Sequence, residues 1–116
     1  MTVNKGDNPR TRRIINGNKL VGVLAWIDTD PSDENAQVLI AASFVSKKDQ
    51  PNRKLGREIA LGRIERAWDE ITKHPVFNVK HCGLISKGEL IKIHELLNEC
   101  GTWQDPVKLI KTKLNF

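Results

Sequence analysis

A chain of 116 residues is long enough for one domain and too short for two. Its 39% hydrophobic and 28% charged content lies outside the disordered class, and no run approaches the roughly 20 apolar residues that span a bilayer. The formal charge of +5 and pI near 9.4 favour a polyanionic partner: nucleic acid, a nucleotide or an acidic protein surface.

Two cysteines, Cys82 and Cys100, form neither a disulfide framework nor a CxxC knuckle, so reduced thiols and a soluble, cytoplasmic protein are expected. Residues 1–11 contain Gly6 and Pro9 but no apolar periodicity and no leader-like core. They read as a flexible basic arm, charged by Lys5 and Arg10 with Arg12 and Arg13 adjoining, ahead of a single domain over residues 12–116.

Ile14 and Ile15 open a short strand ending at Asn16-Gly17-Asn18, where Asn-Gly supplies the positive φ values of a type I′ hairpin turn. A second strand runs from Lys19 to Ile27. Its near-continuous apolar run suits a central strand covered on both faces, with Gly22 permitting close approach. Asp28 to Asn35 is an acidic hairpin loop; Asp28, Asp30 and Asp33 lack the glycine and terminal glutamate of a calcium loop, so no metal is expected. A third strand spans Ala36 to Val45, and the short connections make the sheet antiparallel.

A helix is predicted over Arg53–Lys73, capped by Asn52 or Asp49. At 100° per residue, Ala60, Leu61, Ile64, Ala67, Trp68 and Ile71 form one stripe, with Arg53 and Arg57 on its N-terminal continuation. Leu55, Ile59 and Gly62 fall nearer the opposite side, a second apolar face for a later helix or another subunit. Gly56 and Gly62 each cost about 0.8 to 1 kcal/mol in a helix, which close packing would explain. His74-Pro75 ends the helix, and a short edge strand is expected around Phe77 to Val79.

Ser86 and Glu89 make a capping box for a second helix, carrying Leu90, Ile93, His94 and Leu97 and stopping near Gly101. Asp105-Pro106 opens a third, with Val107, Ile110 and Leu114 as its stripe. The fold class is therefore α+β: an antiparallel meander of three to four strands packed against a long helix, with two further C-terminal helices.

Chemistry concentrates between Lys47 and Arg57, where Lys47, Lys48, Arg53, Lys54 and Arg57 face one acid, Asp49. Cations at a helix N-terminus oppose its dipole by roughly 0.3 to 1 kcal/mol each, and a bound anion reverses that penalty. The two arginines are expected to line a partly enclosed site, with the lysines at its solvent edge. The alternative is a solvated basic loop whose Arg57 pairs with Glu58, Asp49 or another carboxylate. His74, His81, Cys82, His94 and Cys100 lack zinc-knuckle spacing, and His94 reads as a core histidine. His81-Cys82 adjacency does not make a nucleophile pair, no P-loop or nucleophile elbow is present, and neither an enzyme nor a cofactor is expected. Trp26 and Trp68 read as packing residues, and Trp103 as a plug between helices or at an interface, or as a stacking platform.

The segment Phe44–Ile64 resembles one in small phage-encoded accessory proteins: a strand, a Lys-Asp turn, an Arg-Lys-x-Gly-Arg helix start and an Ile-Ala-x-x-Arg continuation. The matching residues are Lys48, Asp49, Arg53, Lys54, Gly56, Arg57, Ile59, Ala60 and Arg63; Pro51 stands where those families carry an aromatic residue. In layout the segment is similar to the Thoeris anti-defence nucleotide-sponge family. The resemblance implies an oligomeric, non-enzymatic protein of the infected bacterial cytoplasm that sequesters cyclic ADP-ribose isomers or cyclic oligonucleotides. From the residues themselves the leading expectation is a phosphorylated ligand at the helix start, held by Arg53 and Arg57 in the field of Lys47, Lys48 and Lys54, with Arg63 in the same binding set and Leu55, Ile59 and Trp103 serving the interface of a homodimer or higher oligomer. A nucleic-acid binder using the arm and the loop-helix, and a protein inhibitor of a host defence or transcription complex, are the alternatives.

Overall fold

A computed structural model describes residues 9–30, 33–45, 53–73, 81–99, 105–114 and 116, the side chains of 53 and 71–73 excepted. Its elements in chain order are β1 (Arg10–Asn16), β2 (Lys19–Asp28), β3 (Val38–Phe44), α1 (Arg53–Lys73), β4 (Cys82–Ile85), α2 (Lys87–Glu99) and α3 (Pro106–Leu114). The strands form one antiparallel sheet in the order β1-β2-β3-β4, so the α+β class and the meander are as expected.

The β2 strand is central because both of its faces are apolar. Val23, Ala25 and Ile27 join Leu39 and Ala41 of β3 beneath Ala60, Ile64, Ala67 and Trp68 of α1. Leu24 joins Val38, Ile40 and Ala42 on the other face, beneath Ile93 of α2 and Ile110 of α3. The result is helix, sheet, helix, and each fully buried large side chain contributes roughly 1.5 to 3 kcal/mol. Alanines at 25, 41, 60 and 67 are all fully buried and keep the α1 interface thin. At Gly22 an added Cβ would lie 2.5 Å from the Ser43 carbonyl oxygen, so only glycine allows β2 and β3 to approach there.

Several expectations need correction. Arg10, Arg12 and Arg13 belong to β1, not to an arm, because the length of β2 lets them pair with Trp26, Leu24 and Val23. The hairpin turn has positive φ at Gly17 (66°) and not at Asn18, which is the type II′ pattern rather than I′. The fourth strand is Cys82–Ile85, set by its pairing with β3, while 77–79 lie outside the described residues. Gly62 is exposed, and a Cβ there would meet nothing within 4 Å, so close packing does not explain it. Since α2 and α3 cover the far side of the sheet, no later helix among the described residues covers Leu55 and Ile59.

Local signals at the other helices hold. Ser86 Oγ accepts the Glu89 N–H at 3.1 Å, and Asp105 Oδ1 accepts the Val107 N–H at 3.0 Å. The acidic loop is closed by Thr29, whose N–H and hydroxyl both donate to the Gln37 carbonyl. Among the described residues no helix is long and apolar enough to cross a membrane, and no group of His, Cys, Asp or Glu could hold a metal ion.

Candidate functional site

The end of the sheet where β3 stops and α1 begins carries Lys54, Leu55, Arg57 and Ile59 among the residues singled out by the sequence. Gly56 sits where helix and sheet approach closely. A Cβ there would be 3.1 Å from Val23 Cγ2, and the Gly56 carbonyl accepts the Ser43 hydroxyl at 2.7 Å. This contact decides where the neighbouring cations go. Arg57 is turned 100° from Gly56 and is exposed, as is Lys54, so the expectation that Arg57 lines an enclosed site is not met. Among the described residues, no carboxylate pairs with either cation, and the first turn of α1 has no acidic residue. Arg53 is the first residue of α1, its side chain lying outside the described set together with all of Lys47, Lys48 and Trp103. Leu55 and Ile59, 53% and 41% exposed, form an apolar flank beside the cations.

Arg63 stands apart from the other candidates. It lies six residues beyond Arg57, about 9 Å along the axis, and is half-buried. Its Nη1 donates to the Ala42 carbonyl and lies 3.3 Å from His81 Nδ1. Just before β4 begins, the Ala42 N–H donates to the His81 carbonyl at 3.0 Å, and Arg63 supplies a donor to the Ala42 carbonyl. Its Nη1 is thus engaged where β4 joins β3, whereas Lys54 and Arg57 are exposed.

Residues that the sequence did not bring together gather at the same end of the sheet, among them His81, weighed above only as a zinc or nucleophile candidate. Phe44 meets His81 edge to face at 5.1 Å, His81 lies 5.8 Å from Phe116, and Lys111 Nζ stands 4.9 Å from the Phe44 centroid. His81 has a φ of 57°, a left-handed conformation costing about 1 kcal/mol, and this turn places the ring between the two phenylalanines. No sequence period links 44, 81, 111 and 116, so only the folded chain shows the cluster. It lies on the α2–α3 face of the sheet, whereas Lys54 and Arg57 belong to α1 on the other face.

Two titratable groups have displaced pKa values. Burial pushes the Cys82 thiol up to about 11 against the opposing effect of Arg63, and its Sγ donates to the Arg63 carbonyl at 3.6 Å. Burial, then the nearby Arg12 charge, lowers the pKa of His94; Arg12 Nη1 approaches its Nδ1 at 2.9 Å and Arg12 Nη2 donates to Asn98 Oδ1 at 2.6 Å. These contacts account for His94 as a partnered, half-buried residue that ties α2 to β1. Comparison with protein-family models, curated proteins and solved structures found no match to this chain.

Proposed function

We propose that the protein is a non-enzymatic binder that sequesters a phosphorylated ligand, a nucleotide signal, at the end of the molecule where β3 passes into α1. The observation that carries this reading is the start of α1, its first two turns. It offers Lys54 and Arg57 to solvent, with no carboxylate partner among the described residues, at the positive end of a helix dipole. Each cation there works against helix stability, and a phosphate reverses that effect while gaining charge-assisted hydrogen bonds. The Phe44, His81 and Lys111 cluster lies on the α2–α3 side of the sheet and is not counted in this site. Countering host defence, and assembly through Leu55 and Ile59, are the roles implied by the resemblance at 48–63.

Calorimetry with cyclic nucleotides and ADP-ribose isomers tests the reading, using Lys54→Ala/Arg57→Ala as the control. Saturable binding to the parent and at least about tenfold weaker binding to the double variant is the expected result. Absence of heat with every one of these ligands sinks it.

A second reading, binding to a nucleic-acid backbone, is favoured by the exposed Arg10 and Arg13 on edge strand β1. Its mark is salt dependence, with a slope of about −0.9 per phosphate contacted. A shallow slope supports the pocketed ligand, and a steep one supports the polymer.

A further inference from the structure

At the opposite end of the sheet, beyond the strands' contact with the N-terminus of α2, lies an open cleft of about 470 Å³. It is lined by Arg10 of β1, Trp26, Ile27 and Asp28 of β2, and Lys87, Leu90 and Ile91 of α2. The β register explains why these groups meet. Arg10 pairs directly with Trp26, so the two side chains share a face, and Asp28, two residues along β2, returns to that face. Arg10 and Asp28 are then diagonal neighbours with Cβ atoms about 7 Å apart. Among the described residues they do not form an ion pair, which leaves a guanidinium and a carboxylate facing one cleft unmatched.

The other walls are held in place. Trp26 packs edge-on against His94 at 4.7 Å, and Arg12 fixes His94 in turn. Lys87 Nζ donates to the Asp33 carbonyl at 3.0 Å, which holds the ammonium at the rim with two donors to spare. The Asp33 carboxylate itself accepts the Asn35 N–H at 2.9 Å. Ile91 is 58% exposed although it forms part of the apolar wall with Leu90 and Trp26.

We propose that this cleft binds a free apolar α-amino acid as its zwitterion. Arg10 and Lys87 take the ligand carboxylate, Asp28 takes the ammonium, and Trp26, Leu90 and Ile91 cover the side chain. A simple anion would meet the repulsion of Asp28, and a simple cation that of Arg10 and Lys87. A ligand bearing both charges beside an apolar group satisfies all three, in a cleft of small-molecule size. This site is separate from the α1 end and does not depend on phosphate binding there.

The test is calorimetry of the full chain with L-leucine and L-phenylalanine, and with N-acetyl-L-leucine and L-leucinamide, which lack the ammonium and the carboxylate respectively. The free amino acids should bind saturably and both derivatives at least about tenfold more weakly, the loss expected when one charge-assisted contact goes. Asp28→Asn should weaken leucine and, by removing a like charge, strengthen the anionic N-acetyl-leucine, and Arg10→Ala should weaken leucine and strengthen the cationic leucinamide. The proposal is overturned if neither free amino acid binds, or if the derivatives bind as tightly as leucine. The derivative comparison uses the unaltered protein, so it decides the matter even if a variant fails to fold.

Discussion

Replacing each of the two glycines of α1 by alanine should move stability in opposite directions, although both gain the same helix propensity. That gain is about 0.8 to 1 kcal/mol. At Gly62 a methyl meets nothing within 4 Å, so the gain is realised in full, and in a domain of this size about 1 kcal/mol raises the melting temperature by about 4 °C. At Gly56 the methyl lies 3.1 Å from Val23 Cγ2 and 3.4 Å from Ser43 Oγ. Val23 is buried in the central strand between β1 and β3 and cannot retreat without disturbing both pairings. Overpacking of this kind costs about 1 to 3 kcal/mol, so Gly56→Ala should be neutral at best and otherwise destabilising by up to about 2 kcal/mol. Thermal and urea unfolding of the two variants measure the difference. If Gly62→Ala lowers the midpoint, or Gly56→Ala raises it equally, the packing of α1 on the sheet described above is wrong.

Three further outcomes are expected. His94 accepts from Arg12 only when unprotonated, and its folded pKa lies below the 6.5 of the free imidazole. The unfolded chain therefore takes up the proton first: this contribution to stability is complete above about 6.5 and falls as the pH drops from there toward the folded value. Urea midpoints between pH 7.5 and 5.5 should decline less steeply in His94→Gln than in the parent, and parallel curves would refute the linkage. With its thiol raised to about 11, Cys82 should resist alkylation at pH 8 in the native protein and react on denaturation; in a Cys100→Ser background, rapid native labelling would contradict its burial. Among the described residues, buried Trp68 has no hydrogen-bond partner for its Nε1–H, an omission costing about 1 to 3 kcal/mol. Trp68→Phe removes that donor along with some ring area and should change stability by less than about 1 kcal/mol, against about 3 to 5 for Trp68→Ala. Equal losses in the two would show that the indole N–H is satisfied in solution.

The sequence alone was enough to define elements whose signals are local. The range Arg53–Lys73 for α1, the Ser86 and Asp105 caps, the apolar run of β2 and the close approach at Gly22 each depend on neighbours a few residues away or on a side-chain period. The basic start of α1 is legible for the same reason, since charge and helix polarity are both read along the chain. Tertiary structure decided everything that depends on register or on which face is covered. Arg10, Arg12 and Arg13 looked like part of an arm until their pairing with β2 made them a strand. Arg57 shared a wheel stripe with the core, but contact of Gly56 with Val23 turned it to solvent, while Arg63 was drawn to the Ala42 carbonyl. Neither the cluster of Phe44, His81, Lys111 and Phe116 nor the cleft joining Arg10 to Asp28 and Lys87 has a sequence signature. Their members are brought together by cross-strand pairing and helix docking, interactions between distant residues that no local pattern encodes.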